Sequence, residues 1–528
     1  MKKWLIWVIG LLILLINYYF ELPPLNIQSP AFWHFMFNAC FVFMICLILF
    51  NGNRFIEYGR FNFKLLSIYK YILIAVGSIF GLIIIINLFS APFFNAKEYS
   101  GRIIINQDKT FTEDIKQVDY SRIPLIDKDS SEKLGDRKMG EFTSMVSQFY
   151  VSDLYTQINY NNKIVRVTPL EYADVIKYFT NHKEGIKGYI MVNSVDGTSE
   201  LVTLEKGMKY MPSAILFDNL NRKLRLKYPT TIFDKASFEI DNEGNPYWII
   251  PTVKYKAIGL KKEINGAVLL DPITGKSQKY KLNEIPSWVD HVYSADLIID
   301  QINNWGEYKN GFLNSIFGQK DVINTTEGYN YLVMDDDVYL YTGITSVSTD
   351  ESNLGFVLVN LRTKETNYYL VPGAEEFSAM ASAEGLVQEK KYNASFPLLI
   401  NLNGRPTYLL SLKDAAGLVK MYAFIDVEDY QKVVVSDSSL GIEVAAEKYL
   451  NDTNLVSKGD INTKTISIKS IATAVIDNNT YYFITDNEGN KYSASIKIAK
   501  NILPFIKNGD EITVTFNENT INQITQIK

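Results

Sequence analysis

The chain has 528 residues, 47% of them hydrophobic, with a formal net charge of -5, a balance that excludes a general nucleic-acid binder. Its two cysteines, Cys40 and Cys46, both lie in an apolar run. Structural disulfides, thiolate-held zinc and a cysteine nucleophile are thereby excluded from the polar remainder, which suits a bacterial surface protein better than a disulfide-bonded secreted module.

Three apolar runs come first: Trp4 to Phe20, Ala31 to Phe50 and Tyr71 to Ser90. Each has the length needed to cross about 30 Å of hydrocarbon as a helix. Tyr18, Tyr19, Trp33, Phe50, Tyr69 and Tyr71 crowd their ends, as aromatic residues do at the headgroup level. The first run starts on Lys2 and Lys3 but has no small-residue cleavage pattern after it, so it reads as an uncleaved helix. His34 falls near a helix end and reads as interfacial.

Loop charge sets the expected orientation. The loop from Glu21 to Pro30 carries no Lys or Arg, whereas Arg54, Arg60, Lys64 and Lys70 sit in the second loop. The positive-inside rule then places the N-terminus in the cytoplasm and everything after about residue 90 outside, in a multi-pass protein of the cell membrane with the lipid bilayer as a partner.

Residues 91–147 read as a stalk and connecting segment, in which Asp129 with Glu132 could cap a short helix. A first α+β module is expected over 148–305. It opens with a hairpin from Tyr155 to Val167, turning at Asn161-Asn162. Thr168-Pro169-Leu170-Glu171 carries a helix-start pattern, with Ala173, Ile176 and Phe179 on one face. Asp196-Gly197 is a type I′ hairpin signal. Helices are expected after Ser213, and from Ser287 to about Trp305. A second module, 306–455, holds further helices near Ala374 and Gly441. Strands with few helical crossovers point to an α+β fold rather than a doubly wound sheet.

Two pairs of stretches echo each other. Ile240-Asp241-Asn242-Glu243-Gly244-Asn245-Pro246-Tyr247-Trp248 parallels Ile400-Asn401-Leu402-Asn403-Gly404-Arg405-Pro406-Thr407-Tyr408, and Gly266 to Asp271 parallels Gly355 to Asn360. The repeated unit resembles PepSY-type domains, small α+β modules of bacterial envelope proteins. Residues 463–528 order three strand-like runs, a short helix from Ala499 to Ile506 and two closing strands, which resembles a five-stranded OB-like barrel. OB folds often bind nucleic acid, but the expected location and the absence of a basic stripe argue against that here.

Longer segments carry a family resemblance. Ser121 to Ile126, Lys133 to Gly140, Tyr293 to Ile299, Asp337 to Gly343, Pro372 to Glu376 and Ser411 to Lys420 together resemble a largely uncharacterised family of long membrane-anchored envelope proteins of Gram-positive bacteria. Some of its members carry the labels CvpA family or Tat pathway signal sequence. Neither label fits these residues, since there is no twin-arginine start and no compact channel-like body. The resemblance implies an envelope setting and no activity.

No residue of the sequence stands out as catalytic, cofactor-binding or metal-binding. His182 and His291 stand in no short ligand pair, and no P-loop, dinucleotide fingerprint or G-x-S-x-G motif occurs. Asp335-Asp336-Asp337 lacks the alternating ligands of a calcium loop and reads as a solvated hairpin turn. Tyr247, Trp248 and Tyr408 could stack on sugars, though strand-core packing fits them better. The four N-x-[ST] matches at Asn324, Asn393, Asn451 and Asn478 read as chance. The expectation is a non-enzymatic extracytoplasmic binding or scaffold protein, without cofactors or nucleic acid, facing a protein or cell-wall polymer. The alternatives are a wall-active hydrolase using paired carboxylates and an accessory subunit of a membrane transport or secretion complex.

Overall fold

Apolar segments can leave water only by bonding their own backbone internally, which makes helices of the three N-terminal runs. In the computed structural model they lie within α1 (Lys3–Glu21), α2 (Pro30–Phe55) and α3 (Phe63–Ser90). Each of these helices is long and apolar enough to cross a membrane. The structure describes residues 3–57, 60–61, 63–346, 352–453, 462–476, 479–517 and 519–527, so Lys2 and Asn478 lie outside it. The chain divides into two compact units, Met1–Lys109 with Arg122–Leu370, and Thr110–Ser121 with Val371–Lys528.

Residues 91–109 form no free stalk. Helix α4 (Pro92–Ser100) packs on a later helix, Tyr99 and Ile103 are buried, and β1 (Asn106–Lys109) joins a sheet. Helix α5 (Lys128–Gly140) is capped by Asp127, whose side chain accepts from Ser130 N, and not by the expected Asp129.

After α5 the same construction recurs four times. In the first sheet, β2 (Phe149–Val151) and β3 (Thr156–Tyr160) share one partner, β4 (Lys163–Tyr172). A short helix, α6 (Val175–Asn181), leads to β5 (Ile186–Asn193) and β6 (Ser199–Met208), which complete an antiparallel meander. The second sheet follows α7 (Leu220–Lys227). There β7 (Ile232–Phe233) and β8 (Ser237–Ile240) share β9 (Pro246–Tyr255), and β10 (Lys262–Leu270) and β11 (Ser277–Lys281) extend it. The third follows α8 (Ala295–Tyr308), with β12 (Ile323–Thr325) and β13 (Asn330–Met334) on β14 (Asp337–Ser346), then β15 (Ser352–Asn360) and β16 (Thr366–Tyr369). The fourth, in the second unit, follows α9 (Glu376–Leu386). It places β17 (Asn393–Ala394) and β18 (Leu398–Leu402) on β19 (Arg405–Lys413), followed by β20 (Val419–Asp426) and β21 (Val433–Asp437). Helix α10 (Ile442–Asp452) closes this sheet.

The expected helix start at Thr168-Pro169 is the middle of β4, and the shared construction explains why proline is tolerated there. The third strand of each sheet changes partner at one residue: Pro169, Pro251, Gly343 and Ser411. At that residue the carbonyl accepts from Ser152 N, Asp234 N, Thr326 N and Ser395 N respectively, and at Ser411 the N–H is used as well, donating to Ser395 Oγ at 2.9 Å. A strand residue's N–H points to the same side as its carbonyl, so the missing donor of Pro169 falls in the gap between β2 and β3. The helix itself starts one turn later, capped by Asp174, which accepts from Lys177 N.

The second sheet is buried on both faces. Along β9, Trp248 and Ile250 enter one core while Ile249 and Val253 enter another, as period-two alternation requires. Its strands therefore read as continuous apolar runs, Trp248-Ile249-Ile250 and Ala267-Val268-Leu269-Leu270. Gly266 and Gly355, the paired glycines of the sequence echo, sit at equivalent bulges, where a Cβ would collide with the carbonyls of Tyr280 and Tyr369.

Three further expectations change. The Asp196-Gly197 turn is longer than a two-residue type I′ turn, since Gly197 N donates to Asn193 O and Asn193 N to Thr198 O. The helix expected from Ser287 starts at Ala295, because residues 285–293 form a buried connector holding Val289, Asp290, Val292 and Tyr293. The helix expected over Ala499 to Ile506 is replaced by short turns at Ile496–Ile498 and Leu503–Phe505, the latter with Pro504 inside it. Around those turns β22 (Asn462–Ile476), β23 (Asn479–Asp486), β24 (Lys491–Ser495), β25 (Glu511–Asn517) and β26 (Thr520–Ile527) pair in the order β22-β23-β24-β26-β25, and β25 returns to β22. The β24–β26 step rests on one pair, Ser493 with Thr520.

Candidate functional site

The residues weighed for chemistry do not converge. His182 Nδ1 meets the Phe179 carbonyl at 3.0 Å, at the end of α6. Asp335 takes the left-handed turn position, Asp336 accepts from Asn159, and Asp337 pairs with Arg362 at 2.7 Å. Trp248 and Tyr408 are buried core residues, and Tyr247 packs tilted against Trp288, with ring centroids 5.1 Å apart. His34 Nδ1 stands 3.6 Å from the Glu21 carboxylate, near the helix ends as expected. Among the described residues no three metal-ligating side chains meet.

Two other places concentrate polar groups. The first is a buried joint of the first three sheets. Glu239 on β8 accepts from the backbone N–H groups of Asp290 (2.8 Å) and His291 (3.1 Å). Asp290 Oδ2 accepts from Asn159 N on β3 at 2.8 Å, and Asn159 Nδ2 donates to Asp336 at 2.8 Å. His291 Nε2 meets the Gln157 carbonyl at 2.7 Å. A carbonyl can only accept, so that nitrogen carries the proton. Glu239 and Asp290 are 0% and 1% exposed. Burial pushes both carboxyls up, Asp290 further because Glu239 faces it, while burial brings His291 down to about 4. Asp290 Oδ1, Gln157 Oε1 and Asn159 Oδ1 are buried without a partner. This is a proton-holding joint: a carboxyl that donates or accepts a proton in catalysis must reach substrate, and these do not.

The second place is where the membrane-length helices meet the sheets. Arg225 on α7 donates through Nε to Leu22 O (2.9 Å) and through NH1 to Thr231 O (2.6 Å). Beside it Leu25 N donates to Pro229 O at 2.8 Å, and Asn26 Nδ2 to Thr230 O at 3.1 Å. The β9–β10 turn receives both the α1–α2 loop and the end of α3: Gly259 N donates to Gln28 O at 3.1 Å, and Asn87 Nδ2 of α3 to Ile258 O at 3.0 Å. Just past α3, Lys261 pairs with Glu98 at 2.5 Å, holding that carboxyl below its ordinary range. Arg102, 8% exposed, pairs with Asp300 (2.7 Å) and Glu263 (3.1 Å), and Lys364 joins Glu263 at 3.4 Å. An open depression of ≈ 540 Å³ adjoins this segment, lined in part by Lys97, Ile104, Trp305 and Lys309.

Sequence reasoning missed Glu239, Asp290, Arg102 and Arg225. A signal exists for two of them. Phe238-Glu239-Ile240 and Arg102-Ile103-Ile104-Ile105 each place a charge in or against an apolar run, where it must find a partner or lose its charge. Compared with known proteins, the chain matches no family model and no curated sequence.

Proposed function

We propose that this chain is a non-enzymatic, membrane-anchored binding or scaffold protein of the bacterial cell envelope, holding its sheets outside the cytoplasm for a protein or cell-wall polymer. The observation that carries the reading is the junction just described. Both the loop between α1 and α2 and the end of α3 bond to one turn of the second sheet, so the sheets of the first unit are fixed to α1–α3 instead of tethered by a linker. A fixed platform suits presentation of a surface. The fourfold construction supports PepSY-like units, and the cyclic strand order of the last five strands supports an OB-like terminal domain. The charge asymmetry of the two loops supports the outside location.

A second reading, an accessory subunit of a transport or secretion complex, is favoured by one feature. Gly77 and Gly81 of α3, four residues apart, have no atom within 4 Å of a would-be Cβ and leave a smooth face open to another helix.

Topology tests the first reading. With Cys40 and Cys46 replaced by Ala, a single cysteine is placed at Asp196, exposed in the β5–β6 turn. Asp196 is preferable to its neighbour Gly197, whose φ of +75° a side chain would strain. Labelling of intact cells by a membrane-impermeant maleimide is the expected result. Labelling only after lysis sinks the envelope reading.

A further inference from the structure

Two clusters of large apolar side chains stand open on the first unit, and each adjoins the end of a membrane-length helix. One continues from α3. Ring contacts run from Phe89, in the last turn of α3, to Phe94 (5.3 Å), from Phe94 to Phe93 (4.8 Å) and from Phe93 to Phe312 (5.4 Å). Phe312 opens a short finger in which Leu313, Ile316 and Phe317 project unpacked, Phe317 being 81% exposed. Lys309 and Lys320 flank the finger in sequence. The other cluster adjoins α1. Arg222 stacks on the Tyr19 ring at 4.0 Å and donates to the Leu216 carbonyl at 3.1 Å. Phe217, next in the chain, is 69% exposed. Tyr178 of α6 donates to Ile215 O at 3.1 Å, which brings in Ile176, 72% exposed.

Open apolar clusters of this size mark a surface that something covers. The nearest apolar medium is the one the helices themselves cross. Phe93 and Phe94 follow the third span by three and four residues, and Arg222 reaches back to the last turn of the first. Side chains tied so closely to span ends lie at headgroup depth, where aromatic rings and flanking lysines partition favourably. We propose that these two clusters are membrane feet, the Phe312–Phe317 finger and the Ile176–Phe217 patch, which enter the leaflet at the span exits and seat the second sheet against the bilayer. Lys309 and Lys320 then face anionic lipid headgroups.

The inference rests on α1–α3 spanning a bilayer. The full chain, with Cys40→Ala and Cys46→Ala, is reconstituted in vesicles of phosphatidylethanolamine and phosphatidylglycerol. A polarity-sensitive fluorophore is attached at Phe317→Cys, at Ile176→Cys, or at Asp196→Cys as control. All three sites are exposed, so the variants fold. Asp196 lies at the far end of strand β5 from α6, roughly 25 Å away. The expected result is blue-shifted emission at Phe317→Cys and Ile176→Cys, mostly lost to doxyl groups placed high on the acyl chains and insensitive to aqueous iodide, with the control behaving oppositely. Emission quenched by iodide as in the control overturns the feet. So does blue-shifted emission that doxyl lipids leave untouched, which would mean that protein covers the clusters. A chain that fails to float with the vesicles overturns the spanning reading as well; one that floats with its probes in water overturns the feet alone.

Discussion

At Asp290 a carboxyl group exchanges its hydration for one backbone hydrogen bond, from Asn159 N, and faces a second buried acid. The folded state therefore holds its protons on Glu239 and Asp290 more tightly than the unfolded state, whose values lie near 4.5 and 3.8. Stability from this source is full below those values and is lost as pH rises through the raised folded ones. His291 works the other way, since its folded value of about 4 lies below the ordinary 6.5, but its contribution is complete once the pH exceeds 6.5. A decline in stability as pH rises above about 6.5 and through about 7, the folded value of Glu239, is thus the signature of the acids. Asp290→Asn should remove much of it: an amide oxygen still accepts from Asn159 N, and the NH2 takes the place of the unpartnered Oδ1. Relative to the native chain, the variant should gain about 1–2 kcal/mol more at about pH 8 than at about pH 5. Glu239→Gln should destabilise at both, because its NH2 would meet the N–H of Asp290 or His291. Thermal unfolding followed by tryptophan fluorescence reads both outcomes.

Among the elements, the hairpin between the last two long strands of each sheet shows most clearly what the four sheets share. Asn193, Asp271, Asn360 and Asp426 open these hairpins, and each side chain accepts from the backbone N–H groups two and three residues on. The left-handed position that follows is Gly197, Gly275 and Lys364 in the first three; the fourth loop is one residue longer. The turn backbone uses only the Oδ1 acceptor, and the Thr274 hydroxyl that donates to Asp271 Oδ2 can turn to accept from an amide, so Asn193→Asp and Asp271→Asn should each change stability by less than about 0.5 kcal/mol, whereas Ala at either should cost about 1 kcal/mol or more. Asn360→Ala should cost more, since its amide also donates to Asp337 at 2.7 Å. Thermal melts of the six-variant set, with Asp426→Ala as the longer-loop comparison, distinguish a reused turn from four unrelated ones. These hairpins were legible in part. The Gly266–Asp271 and Gly355–Asn360 echo found two of the four, because both keep a bulge glycine and an Asx opener at the same spacing. The hairpin at Asp196-Gly197 was found by its turn signal and not by the echo, since Asn193 is followed by polar Ser194, and the fourth escaped because Asp426 opens a longer loop. Thr168-Pro169 misled for a different reason: a proline that is neutral at a helix start is equally neutral where a strand changes partner, and local sequence does not separate the two.

For the molecule as a whole, hydropathy is local and was readable, so the three membrane-length helices stand where expected. What holds them to the sheets was not readable, because it pairs residues some two hundred positions apart: Leu22 with Arg225, Gln28 with Gly259 and Asn87 with Ile258. No periodicity encodes such contacts; the loop Glu21 to Pro30 merely looks short and uncharged by Lys or Arg. Yet that loop decides whether the sheets of the first unit can swing against α1–α3. Arg225 is the centre of the clasp, 7% exposed and bonded to carbonyls on both sides of the junction, Leu22 on the loop and Thr231 at the start of β7. Burial draws its pKa down, which makes those carbonyl partners the compensation for lost water. Arg225→Ala leaves the two part-buried carbonyls without their charged donor, at a cost of about 2–4 kcal/mol. That loss should appear where the clasp opens and not throughout the unit. Hydrogen–deuterium exchange of the full chain in detergent should then quicken on the order of a hundredfold in peptides covering 22–29 and 256–261, while the amides of β9 and β10 keep their protection. Arg225→Lys should recover only part, because an ammonium does not match the divergent donors of the guanidinium fork. Uniform acceleration across β9 and β10 would instead mean that Arg225 supports the core of the second sheet, and that the loop merely follows it.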